Sequence, residues 1–162
     1  MFWPKKMVRK MRKILFSLLF CICGALVSAQ TAAKLSDIIY AERATYGQTC
    51  YIAAAAAGFI GDDASYEEAF SAMKERGFIH SKTATPDTPI TMKHIASIFS
   101  LTWNVQESVM SVLTRQPRYQ FRQLKAYGVI PAIFGPESAA SGRDMLGVAS
   151  KCASLFGGGD EP

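Results

Sequence analysis

From residue 36 to residue 156 the apolar positions recur at helical intervals, and the polar residues between them read as helix starts and stops. A first helical region begins near Ser36 and runs through YIAAAAAGFI to Gly58, with Gly47 as an internal interruption. The alanines at 53–57 have high helix propensity and offer a thin surface for close packing. Ser65 and Glu68 form a capping box for YEEAFSAMKER, whose apolar stripe is Tyr66, Ala69, Phe70 and Met73, and Gly77 stands just past its end. Beyond the polar loop HSKTATPDTP, a third helix is expected from Pro89 or Thr91 to Leu101, with Ile95, Ile98 and Phe99 inward. Asn104 and Glu107 make a second capping box opening VQESVMSVLTR. Pro117 then starts a helix that Gly128 stops, and Ser141 with Asp144 caps a last one over 142–156. The pattern predicts an all-α fold: one compact bundle of five to six helices over residues 30–156, followed by a frayed tail, 157–162.

The front of the chain reads differently. MFWPKKMVRKMRK carries six positive charges and no negative one, and residues 14–27, ILFSLLFCICGALV, follow as an apolar run. Val27-Ser28-Ala29 places small residues where a signal peptidase reads, which predicts a signal peptide over 1–29 and cleavage before Gln30. The apolar run would make a helix of about 21 Å, short of a hydrocarbon layer of roughly 30 Å. Contact with a membrane is therefore expected only through the leader, if it stays uncleaved. Lipid modification at Cys21 or Cys23 is disfavoured, because bulky Phe20 and Ile22 stand where a small residue is needed. The expected location is the periplasm, with outer-membrane association or secretion as extensions.

Removing the leader changes the charge. The whole chain has 18 Lys plus Arg against 13 Asp plus Glu, net +5. Six of the basic residues and none of the acids lie in the leader, so residues 30–162 hold 12 basic and 13 acidic groups, net −1. That balance argues against a nucleic-acid partner, which calls for a concentrated positive surface. Cys50 and Cys152 are the two cysteines beyond the leader. In an exported chain they predict one disulfide, whose loop of about a hundred residues would contribute about 4–5 kcal/mol in the chain-entropy model.

AAAAAGFI, FSAMKERGFI and FRQLKAYGVI each end a helix with glycine and two apolar residues. This echo resembles the repeated helix-turn unit of small surface-layer-type domains. PRYQFRQL, followed by GPESAASGRDML, resembles a recurrent helical segment of small exported proteins in treponeme-like spirochaetes, in which a Pro-Arg-Tyr-Ala-x-Arg-Glu-Leu run precedes a Pro and then a Ser-Gly pair opening the final helix. Pro117, Arg118, Tyr119, Arg122, Leu124, Pro136, Ser141 and Gly142 match, and GDDASYEEAFSAMKERGFI with PITMKHIASIF extends the likeness over residues 36–156. Gln120 departs from the small alanine, and Gln123 from the acid expected beside Arg122. The resemblance implies an envelope location more than an activity.

The candidate binding residues lie in QPRYQFRQLKAYG, residues 116–128. At helical spacing Arg118, Arg122 and Lys125 share one face beside Tyr119, while Phe121 and Leu124 share another. Three cations with neighbouring tyrosines suit phosphate, carboxylate or sugar surfaces, and equally suit the solvated edge of a core helix. The function expected is a non-catalytic structural or interaction protein, with peptidoglycan or an envelope protein as partner. The alternatives are a cell-wall hydrolase or cysteine peptidase, with Cys50 as nucleophile and His80 or His94 as base, and a binder of small anionic ligands. No metal site or cofactor is expected: His80 and His94 lack a ligand spacing, and Asp62 and Asp63 lack the alternating oxygens of a calcium loop. Glu67 and Glu68 suit the positive end of their helix, GGG at 157–159 opens no helix, and GPESAASG lacks a hydrolase elbow context.

Overall fold

The computed structural model describes residues 31–105 and 116–157. The leader, residues 106–115 of the helix expected to follow Asn104, including its Glu107 cap, and the tail from residue 158 lie outside the described residues. The chain divides into two units, Met1–Ser36 and Asp37–Pro162. The first contributes only the helical residues 31–36 to the description, and the second holds the bundle.

Helical residues 37–40 lead into five helices: α1 (Tyr46–Ala56), α2 (Tyr66–Glu75), α3 (Met92–Thr102), α4 (Pro117–Ala126) and α5 (Gly142–Phe156). Among the described residues there is no strand, so the all-helical expectation holds. The capping boxes at Ser65–Glu68 and Ser141–Asp144 are both formed. Gly58, Gly77 and Gly128 take positive φ of 67°, 77° and 71°. The next amides turn back onto their helices: Phe59 to the Ala54 carbonyl, Phe78 to Met73 and Val129 to Leu124, at 2.8, 3.0 and 2.9 Å. The echo in the sequence is therefore one helix-ending device used three times, a left-handed residue that an L side chain resists.

Two boundaries differ from expectation. The first helical region, expected over Ser36–Gly58 with an interruption at Gly47, breaks earlier: the chain bends after residue 40, and Thr45 with Gln48 forms a capping box that restarts it as α1, with Gly47 inside the helix. Asn104, expected as a helix start, follows the end of α3 with a φ of 45°, and the Val105 amide reaches the Ser100 carbonyl at 3.0 Å. Asn is the residue besides glycine that tolerates this conformation, so here it ends a helix.

The break before α1 has a tertiary cause. Three short segments, each just ahead of a helix, bond to one another in a closed ring. The first amide of α1 (Tyr46) donates to Thr88, that of α3 (Met92) to Ser138, and that of α5 (Gly142) to Ala41, at 3.0, 3.0 and 2.9 Å. Ile90 N–H to Ala44 and Ala44 N–H to Ala140, at 3.0 and 2.8 Å, complete the ring. Opening amides of a helix have no partner within it. Here each helix finds one in the extended chain ahead of the next, and burial makes those bonds worth keeping.

The core lies between these helices. α1 packs against α2 and α3, and α3 against α4. α1 is buried around most of its circumference, including Ala53 and Ala54, as its overall lack of polarity required. Ile95, Ile98 and Phe99 of α3 and Phe121 and Leu124 of α4 point inward as expected, with Ala69, Phe70 and Met73 of α2. The expected disulfide is not formed. Cys50 in α1 and Cys152 in α5 are free, both fully buried, and not at bonding distance. Each fills the core as a small apolar side chain, and a bridge needs the two backbones within about 7 Å.

Candidate functional site

The basic face proposed on α4 divides in two. Gln120, Phe121 and Leu124 bury one side of the helix, which leaves Arg118 and Arg122 exposed, one turn apart, and Tyr119 half-buried. Lys125 does not stand beside them as a free cation. Its Nζ donates to the carbonyls of Ala132 and Phe134, at 2.8 and 2.7 Å, and lies 5.6 Å from the centre of the Phe121 ring. The ammonium thus satisfies two carbonyls of the loop that follows the helix. Lys151 does the same from α5, donating to the Gly128 carbonyl at 3.2 Å. These two lysines anchor the turn after α4.

At its other end α4 borders a pocket of about 260 Å³, lined by Lys93 and His94 from the first turn of α3 and by Gln116, Pro117 and Arg118. Lys93 Nζ pairs with Glu137 Oε1 at 2.6 Å. That hydrogen bond first, and then the charges of Lys93, Arg118 and His94, hold the Glu137 carboxyl below its ordinary value. Burial, and then the neighbouring Lys93, push the His94 imidazole below its ordinary value. Its ring lies 5.8 Å from that of Tyr46, whose hydroxyl is pushed up to about 12 by burial and by nearby Cys50.

The order of this pocket comes from the ring. Lys93 N–H donates to Pro136 and Met92 N–H to Ser138, at 2.9 and 3.0 Å, so Glu137 is held on both sides by the first turn of α3. The same register recurs at α1, where Gly47 N–H donates to Pro86 at 2.8 Å and Tyr46 N–H to Thr88. There Asp87 takes the place of Glu137, but Gly47 offers no side chain to meet it. At α5 the equivalent residue is Arg143, whose guanidinium lies 5.9 Å from the Tyr40 ring. α3 is thus where this register joins a cation to an acid.

Sequence reasoning found Arg118 and missed Lys93, Gln116 and Glu137. Lys93 and Glu137 are 44 residues apart, and no local pattern links them. The parallel between TPDT (85–88) and GPES (135–138), each ahead of a helix, was the one available signal.

The thiol chemistry finds no support. Cys50 is fully buried, and burial pushes its thiol up to about 12, as it does that of Cys152. A cysteine nucleophile needs the thiolate and access to substrate. His80 is exposed in a loop, and among the described residues no group of His, Cys, Asp and Glu could hold a metal ion. No described helix is long and apolar enough to cross a membrane. No protein-family model, curated protein or solved structure matches this chain.

Proposed function

We propose that the chain is a non-catalytic interaction protein of the periplasm that engages the cell wall or an envelope assembly through the N-terminal half of α4. The observation behind this reading is the exposure of Arg118 and Arg122 on a helix held by its opposite face. Neither arginine forms an ion pair among the described residues, and the bundle does not use them to close its core. Two cations one turn apart beside Tyr119 suit an anionic or glycan surface. The compartment follows from the leader pattern in the first twenty-nine residues.

The test is co-sedimentation of the whole chain with purified peptidoglycan across a salt series. A saturable, salt-sensitive pellet that falls when Arg118 and Arg122 become alanine supports the reading. Protein left in the supernatant at low salt removes the wall as partner.

A further inference from the structure

The pocket between the first turns of α3 and α4 carries more than a basic surface. We infer that it is an oxyanion site: Lys93 and Arg118 receive a carboxylate or phosphate group, and Glu137 is a built-in competitor for Lys93. This deepens the envelope reading by naming the chemical group recognised, and it shares Arg118 with that reading.

Size, charge and order all point this way. At about 260 Å³ the pocket is smaller than the sites that enclose drug-sized ligands, so it suits a single charged group or sugar-sized moiety. Among the described residues, Lys93, Arg118 and Glu137 leave one positive charge to neutralise. An ammonium has three hydrogens to donate, and the bond to Glu137 uses one of them. Arg118 is exposed and brings a planar fork of donors matched to carboxylate or phosphate. Gln116 at the start of α4 makes no side-chain cap bond and Pro117 has no N–H, so the positive end of α4 borders the pocket without a side-chain cap. Lys93 is placed before any ligand arrives, because the ring bonds on both sides of residue 137 hold the Glu137 carboxylate against its ammonium. An arriving oxyanion does not have to organise the site. It competes with, or adds to, a carboxylate already there.

The competitor role makes the inference testable without risk to the fold. Glu137 is 61% exposed, and the backbone bonds of Pro136 and Ser138 do not depend on its side chain. The isotope-labelled whole chain is titrated with inorganic phosphate and, separately, with acetate, at neutral pH and fixed ionic strength, while amide shifts are followed. The expected result is a saturable shift at Lys93, His94 and Arg118. Glu137→Gln tightens binding by about two- to fivefold, the scale of a surface charge interaction. Arg118→Ala weakens it by at least that factor, and Arg122→Ala leaves it unchanged. The anion that binds more tightly assigns the group as phosphate or carboxylate. Absence of a saturable shift in both the parent chain and Glu137→Gln overturns the inference, as does equal weakening by Arg118→Ala and Arg122→Ala. The wall experiment fails separately. Pelleting that needs both arginines without any shift at the pocket leaves the envelope reading standing and removes the oxyanion site. Pocket binding without pelleting does the reverse.

Discussion

Replacing Gly142 with alanine adds one methyl group where the ring closes. Gly142 is the first residue of α5, buried, and donates its amide to Ala41 at 2.9 Å. A Cβ at this position would collide with the Ile38 carbonyl oxygen and lie 2.8 Å from its carbon. The obstacle is backbone, so no rotamer relieves it and either α5 or residues 37–41 must move. Overpacking costs typically 1–3 kcal/mol, and a backbone obstacle belongs at the upper end of that range. Displacing α5 also weakens the bonds of Gly142 to Ala41 and of Ala44 to Ala140, at about 1 kcal/mol each. The expected loss is about 3–5 kcal/mol, a large share of the stability of a domain this size. Urea unfolding followed by far-ultraviolet circular dichroism reads it as a fall in midpoint of about 2 M. Gly147 supplies the control. It is exposed on the same helix with open space around its Cβ position. Gly147→Ala should stabilise the protein by about 0.5–1 kcal/mol through helix propensity alone. If Gly142→Ala costs under about 1 kcal/mol, or if both substitutions destabilise alike, the close approach at the ring is not what requires glycine.

Other outcomes follow from the same geometry. Burial holds both core thiols up at about 12, so Cys50 and Cys152 should resist iodoacetamide in the native protein near pH 8 and react after denaturation; peptide mapping that finds either alkylated as fast as an exposed thiol refutes the buried placement. His94 is half-buried among Tyr46, Lys93, Glu137 and His80, and its folded value lies below the ordinary 6.5. The unfolded chain then takes up the proton first, so its contribution is complete above about pH 6.5 and is lost as pH falls through the folded value. The urea midpoint should drop between about pH 7.5 and about pH 5.5, above the range where Glu137 titrates, and His94→Gln should flatten that drop; an unchanged slope sinks the assignment. The buried Ser97 hydroxyl has no hydrogen-bond partner among the described residues, so Ser97→Ala should leave stability unchanged or raise it by up to about 1 kcal/mol; a clear loss would mean the hydroxyl is engaged. Lys125→Met keeps the aliphatic stem and removes two hydrogen bonds, for an expected loss of about 1–2 kcal/mol by urea unfolding; no loss would return Lys125 to the solvated face.

What the sequence determined by itself is the local structure. Ser65 with Glu68, Ser141 with Asp144, Pro117, Gly77 and Gly128 set helix ends because capping and φ preference act over a few residues, and those residues sit side by side in the chain. The inward faces of α2, α3 and α4 followed from apolar spacing for the same reason. The sequence also placed Arg118 and Arg122 on a face away from the core. Tertiary structure decided the rest. Residues 41–44 leave the helix because Ala41 and Ala44 are needed to meet residues about a hundred positions later. Cys50 and Cys152 stay apart, although their types and an exported chain suggested a bridge, because bonding depends on distance and not on composition. Lys125 turns from the basic face to the carbonyls of Ala132 and Phe134 once the loop after α4 folds back within its reach. Lys93 at the edge of the pocket meets Glu137, 44 residues later, beside a ring of hydrogen bonds that exists only when three distant segments come together. Hydrogen bonding within a helix can be read from neighbours; hydrogen bonding between segments depends on where the whole chain puts them.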